Sequence, residues 1–152
     1  MDPVTIANEA TLIYDNITKN SNAVVTRILS LYDLTATKEA LLDSYTPGQT
    51  ITYITRVENT GSASLYNLTI VDDLANGTLQ YIDTSIEGYL NGSPIEIDVQ
   101  KTANTVTFKI DNVLNPNDNV LIIFETTTPT TNPEQITNTQ TITANGGSTT
   151  GP

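Results

Sequence analysis

Two segments of this 152-residue chain carry one strand pattern: Ile6-Ala7-Asn8-Glu9-Ala10-Thr11-Leu12 and Ile136-Thr137-Asn138-Thr139-Gln140-Thr141-Ile142 both read I-x-N-x-x-T-aliphatic. A β-sandwich has a single slot for its closing strand, so a second copy is spare unless it fills that slot, or extends an edge, in a neighbouring domain. Residues 4 to 14 alternate in period two, with Ile6, Asn8, Ala10, Leu12 and Tyr14 on one face. That is the pattern of a half-buried strand, and these five are the expected inter-subunit residues. A head-to-tail contact of this kind leaves an open chain of copies unless its rotation closes a ring, so the pattern predicts a homopolymer.

Thr and Asn supply 28 and 16 of the residues, which favours strands and turns over helices and makes the chain all-β. Its length suits one sandwich with an extension. Seventeen acidic against six basic residues give a net charge of −11. Phosphate backbones and anionic lipids are repelled by such a surface, so no nucleic acid partner is expected. No apolar run approaches a membrane span, and membrane insertion is not expected either. Met1-Asp2-Pro3-Val4 lacks the basic and apolar segments of a secretory signal, which fits a removed signal or an export route without one. With no cysteine and no histidine the chain has no disulfide, thiolate, imidazole base or conventional zinc site. Most hydrolase chemistry is thereby excluded, and the expectation is a protein that is not an enzyme and holds no metal or cofactor. A cysteine-free domain that works outside a cell needs some other staple.

Turn signals recur at sandwich spacing. Residues 15 to 22 read as a turn and 23 to 34 as a second extended segment. Tyr45-Thr46-Pro47-Gly48 presets a reversal before the clearest strand, 49 to 59, in which Ile51, Tyr53, Thr55 and Val57 share a face. Asn76-Gly77 and Asn91-Gly92 supply left-handed positions for hairpins flanking strands near 78 to 84, 87 to 90 and 94 to 98. Strands at 105 to 110, 119 to 128 and 135 to 144 complete the sheets. The expected division is 1–34 as an N-terminal β-strand extension and donor strand, 35–145 as the sandwich, and 146–152 as a flexible tail.

Thr35-Ala36-Thr37-Lys38, Pro47-Gly48-Gln49-Thr50-Ile51-Thr52-Tyr53, Val57-Glu58-Asn59-Thr60-Gly61, Asn67-Leu68-Thr69-Ile70-Val71-Asp72-Asp73-Leu74 and Ile136-Thr137-Asn138 occur in that order. Together they resemble the bacterial surface repeat called domain of unknown function eleven, over roughly residues 34 to 144. Ala75 stands where that repeat usually has a proline. The resemblance implies an immunoglobulin-like β-sandwich, commonly strung in tandem in large surface proteins, with some members similar to subunits of clostridial spore appendages. Residues 4 to 34 then look like the end of a preceding repeat.

The resemblance also implies a staple. Certain surface and pilin sandwiches join a first-strand Lys to a last-strand Asn through an amide, assisted by a carboxyl group, and the matching residues are Lys38, Asn138 and Asp72. Parity agrees: Lys38 shares a face with Leu34, Ala36 and Ala40, Asp72 with Leu68 and Ile70, and Asn138 with Ile136 and Ile142. Burial would make the Lys a neutral nucleophile and keep the Asp protonated. The same residues also fit a noncovalent role, with Asp72 at a strand corner, Asn138 bonded to backbone and Lys38 snorkelling from the sheet edge. Glu125 is a second candidate acid.

The expected function is a structural subunit that assembles head to tail by N-terminal strand donation into an extracellular filament on a bacterial cell or spore. The alternative is a tandem stalk repeat of a large surface adhesin. Partners are other copies of the chain and other surface proteins. A glycan-binding module would use exposed aromatics such as Tyr81 and Tyr89. Calcium would use Asp72-Asp73 or the corner Asn115 to Asn119. An enzyme would need Asp72 and Asp73 to converge, yet adjacent strand residues face opposite sides.

Overall fold

The computed structural model describes side chains at residues 32–131 and 135–145, together with the backbone of strands at 4–8, 11–14, 17–20, 24–28 and 147–151. The chain divides into two compact units, Met1–Leu31 and Tyr32–Pro152. No helix occurs among the described residues.

The first unit contains β1 (Val4–Asn8), β2 (Thr11–Tyr14), β3 (Ile17–Asn20) and β4 (Val24–Ile28). β1 pairs with β4 and β2 with β3, both antiparallel. This corrects the reading of residues 4 to 14 as one strand: Ile6, Asn8, Leu12 and Tyr14 lie on two strands, β1 and β2, each paired within its own unit. Ala10 lies outside the described residues. It also corrects the long turn at 15 to 22: only two residues separate the paired Tyr14 and Ile17, and the β-branched Ile17-Thr18 extends the return strand.

The second unit holds two antiparallel sheets. The first runs β10 (Ser93–Ile95), β9 (Glu87–Leu90), β13 (Asn119–Thr127), β6 (Thr50–Asn59), β5 (Leu34–Ala40), with β8 (Gln80–Tyr81) also on β13. The second runs β11 (Asp98–Lys101), β12 (Thr105–Ile110), β7 (Leu68–Asp73), β14 (Gln140–Ala144), β15 (Gly147–Gly151). Period-two burial along β6, β7, β12 and β13 gives each sheet one apolar face. Val57, Val120, Ile122 and Phe124 from the first meet Leu68, Ile70, Val106, Phe108, Ile110 and Ile142 from the second. Phe108 and Phe124 lie 5.0 Å apart, centroid to centroid, and Tyr53 stacks on Phe124 at 5.4 Å. β5 and β15, edge strands of the two sheets, come into contact.

Several boundaries differ from the sequence reading. The unit begins at Tyr32 rather than residue 35. The segment expected as a flexible tail carries β15, because the Gly/Ser/Thr chain after Asn145 finds unpaired backbone groups along β14. β14 starts at Gln140, so Asn138 precedes the strand instead of lying inside it. Asn91 and Gly92, at φ 49° and 83°, make the expected hairpin between β9 and β10. Asn76 and Gly77 do not make a hairpin, because β7 and β8 belong to different sheets.

Ala75, Asn76 and Gly77 instead form a left-handed turn with φ of 52°, 55° and 80°. Proline, fixed near φ −65°, could not occupy position 75 in this turn. A Cβ at position 77 would stand 2.9 Å from Asn104 Oδ1 and 3.1 Å from the Ala103 carbonyl oxygen. Gly77→Ala is therefore expected to cost about 1–3 kcal/mol, measured as a lower urea midpoint at unchanged slope.

Candidate functional site: a buried Lys-Asp-Asn cluster

Lys38 lies on β5, whose inward positions Leu34, Ala36 and Lys38 alternate with exposed Thr35, Thr37 and Glu39. β5 is an edge strand, and from it the Lys38 side chain reaches across the sandwich to Asp72 on β7. Lys38 Nζ donates to Asp72 Oδ2 at 2.6 Å and to Asn138 Oδ1 at 2.5 Å. The side chains of Lys38 and Asp72 are only 4% and 0% exposed, against 53% and 64% for the other ion pair among the described residues, Lys101–Asp83. The three residues singled out from sequence thus meet at one buried point, drawn from two strands and the segment leading into a third.

Two further residues complete the cluster. Gln140 Nε2 donates to Asp72 Oδ2 at 2.9 Å and to Thr55 Oγ1 at 2.9 Å. Both Gln140 and Thr55 are buried. The Tyr53 ring lies under the ammonium, 4.7 Å from Nζ to centroid, and Phe124 backs Tyr53, so the cluster has an aromatic, water-poor wall. Sequence reasoning missed Gln140 as a site residue. Its signal was parity, because it shares a face with Asn138 and Ile142 and is the one long polar side chain between them.

Electrostatics act on the pair in a specific direction. Burial lowers the Lys38 pKa below its ordinary value, and the attraction of Asp72 offsets this only in part. Burial raises the Asp72 pKa, against the opposing pull of Lys38 and Gln140. Both shifts favour the neutral pair, amine plus carboxylic acid, and 2.6 Å suits direct proton transfer between them. Asp72 Oδ1 and Asn138 Nδ2 are buried without a hydrogen-bond partner. Unsatisfied buried polar atoms are costly, and here they are an acid oxygen and the amide nitrogen that would leave if the amine attacked.

The other candidates do not converge. Glu125 is half-buried on the outer face of β13, where its Oε1 accepts from Thr52 Oγ1 at 3.2 Å. Asp73 turns to the opposite face from Asp72 and caps the Asn76 amide at 3.0 Å. Asp118 accepts from the Asn115 amide and from Asn91 Nδ2, bonds that hold its carboxyl below the usual value. Tyr81 packs edge-on against Phe108, and Tyr89 donates to Glu87 at 2.8 Å. No cluster of three acidic residues suited to a metal ion occurs among the described residues.

No family model and no curated protein sequence matches the chain. Solved structures do. The major pilin subunit BcpA of Bacillus cereus matches with a TM-score of 0.61 at 13% identity, over 95% of this chain and 46% of the pilin. The pilus backbone protein RrgB of Streptococcus pneumoniae matches at 0.58 and 13%, over 74% of this chain and 31% of its own. The major pilin SpaA of Corynebacterium diphtheriae, described as having stabilising isopeptide bonds, matches at 0.57 and 16%, over 72% and 32%. The fold is an immunoglobulin-like β-sandwich. At these identities the likeness is one of fold, and this chain spans about a third to a half of the length of those pilins.

Proposed function

We propose that the chain is a noncatalytic structural module of an extracellular bacterial surface fibre, and that its sandwich is stapled by an amide between Lys38 and Asn138. The observation that carries this reading is the buried contact of Lys38 Nζ with both Asp72 and the Asn138 amide. Proton transfer from Lys38 to Asp72 leaves a neutral amine beside an acid. Nζ attacks Asn138 Cγ, the Cγ–Nζ bond forms, and the Cγ–Nδ2 bond breaks. Asp72 gives its proton to the departing nitrogen, which leaves as ammonia, and takes up the proton lost from Nζ. The reaction runs once per molecule, so the chain is its own substrate and no turnover follows.

A staple of this kind answers the absence of cysteine. It ties β5 to the segment entering β14, residues 100 apart in sequence, and so links an edge of one sheet to the other. The likeness to pilins, one of them described with stabilising isopeptide bonds, supports the fibre reading. The resemblance to domain of unknown function eleven supports tandem or head-to-tail arrangement, and within it a spore-appendage subunit. The stalk repeat of a large adhesin is the second reading, favoured by the chain's spanning only part of the pilins it matches.

Intact-mass spectrometry of the purified protein tests the staple. The expected result is a mass one ammonia below that of the sequence, with a Lys38–Asn138 linked peptide after proteolysis. A folded protein at the full sequence mass refutes it.

A further inference from the structure

Ile6 and Asn8 stand 130 positions ahead of Ile136 and Asn138. The same offset relates two hairpins. In the first unit Thr11, Leu12, Ile13 and Tyr14 pair with Asn20, Lys19, Thr18 and Ile17. In the second, Thr141, Ile142, Thr143 and Ala144 pair with Thr150, Thr149, Ser148 and Gly147. Adding 130 to both members of every pair in the first set gives the second set. The return strands, Ile17–Asn20 and Gly147–Thr150, share no residue at any matched position, so their common register is an observation separate from the repeated motif.

The hairpins differ in what flanks them. β14 is bonded on one side to β15 and on the other to β7, whereas among the described residues β2 pairs with β3 alone and β1 with β4 alone. Among the described residues no strand pairs with the edge of β2 that corresponds to the β7 side of β14, and such an edge is a surface to which another strand adds.

We propose that the first unit carries a closing hairpin that fits a sandwich body in another copy of the chain. Its occupant-to-be is a second copy of the 32–131 body: β2–β3 takes the place of β14–β15 beside that body's β7, and Asn8 meets that body's Lys38. The sequence at matched positions suits the exchange. Ile6 replaces Ile136, Asn8 replaces Asn138, and Leu12 replaces Ile142. Tyr14 replaces Ala144, a position only partly buried. Ala10 in place of Gln140 removes the hydrogen bonds to Asp72 and Thr55, which makes the spare hairpin the weaker competitor. The covalent step is the same: Nζ joins Asn8 Cγ, Cγ–Nδ2 breaks, and ammonia leaves. Each body has one Lys38 and accepts one hairpin, so the amide to Asn138 makes closure within the chain permanent. A body whose own hairpin is not locked is open to its neighbour's, and the resulting contact is heterologous and propagates. The role of Asn8 rests on the Lys38–Asn138 reading; the docking of the hairpin does not.

Two variants of the intact chain test this. In the first, residues 134–151 are replaced by the sequence of residues 4–21. The expected product folds cooperatively and loses one ammonia through a link from Lys38 to the asparagine at 138. Failure to fold overturns the docking, and folding without the link, where the natural chain is linked, overturns the role of Asn8. If the natural chain is itself unlinked, the stapling reading falls, and folding of the exchanged chain alone decides the docking. In the second variant, Asn138→Ala removes the competing acceptor. Incubated warm at high concentration, it is expected to form multimers stable in denaturing gels, abolished by adding Asn8→Ala. A chain that stays monomeric under these conditions overturns the exchange between copies.

Discussion

Asn138→Ala is expected to lower the midpoint of thermal unfolding of freshly purified monomer by on the order of 15 °C and to restore the full sequence mass. The size follows from the loop that the amide closes. Lys38 and Asn138 are 100 residues apart, and a covalent link across a loop of that length removes about 4–5 kcal/mol of unfolded-chain entropy in the loop-closure account. Other losses are small by comparison. Asn138 Nδ2 has no partner to forfeit, and removing Oδ1 takes away one of the two acceptors of Lys38 Nζ while leaving Asp72 in place. A shift of only a few degrees, with wild type and variant each at its own full sequence mass, would mean that Asn138 is a hydrogen-bonding residue and nothing more. Calorimetry and intact mass on the same preparation separate the two cases.

Much of this site could be seen in sequence because period two is a strong constraint. Lys38, Asp72 and Asn138 each fall in phase with aliphatic neighbours, and a strand that buries Leu34 and Ala36 carries Lys38 inward with them. The partner strands were less legible. Nothing local to residues 34–40 says that β5 is an edge strand, which is what gives a lysine room to cross to the facing sheet. Gln140 was overlooked because its importance comes from Thr55 and Asp72, contacts 85 and 68 residues away in sequence.

The misread segments fail for a physical reason as well. The pairing of residues 4 to 14 and 146 to 152 is decided by turn length rather than by composition, and the Gly-rich second segment carries little strand signal of its own. Two-residue links place Tyr14 opposite Ile17 and Ala144 opposite Gly147. The first link makes β2 one arm of a hairpin, and the second turns an expected tail into β15. Ala75 shows the converse: alanine carries no turn signal, yet it sits at φ 52° in a left-handed turn.

Asp72→Ala is expected to destabilise the protein further than Asn138→Ala, by about 3–5 kcal/mol beyond the loss of the link. Without its acid the amide cannot form, so the full mass returns and the entropy of the closed loop is lost as before. In addition, a lysine that is 4% exposed is left without its counter-ion, and Gln140 Nε2 loses one of its two acceptors. The total approaches the whole stability of an ordinary domain, so the variant is expected to be partly unfolded at room temperature in low urea. Its pH dependence carries a signature. The folded-state pKa of Lys38 is lowered by burial, and removing Asp72 takes away the main attraction opposing that shift. A depressed lysine contributes stability that is fully present above the ordinary value of 10.5 and is lost as pH falls through the folded value. Asp72→Ala should therefore gain stability as pH is raised from neutral towards 10.5, whereas Lys38→Met, which leaves only a readily protonated Asp72, should gain it as pH is lowered. Urea midpoints decide the matter, taken from neutral pH up to 10.5 for Asp72→Ala and from neutral pH down to 3.8 for Lys38→Met. If the two respond to pH alike, the buried pair is not what sets the energetics of the site.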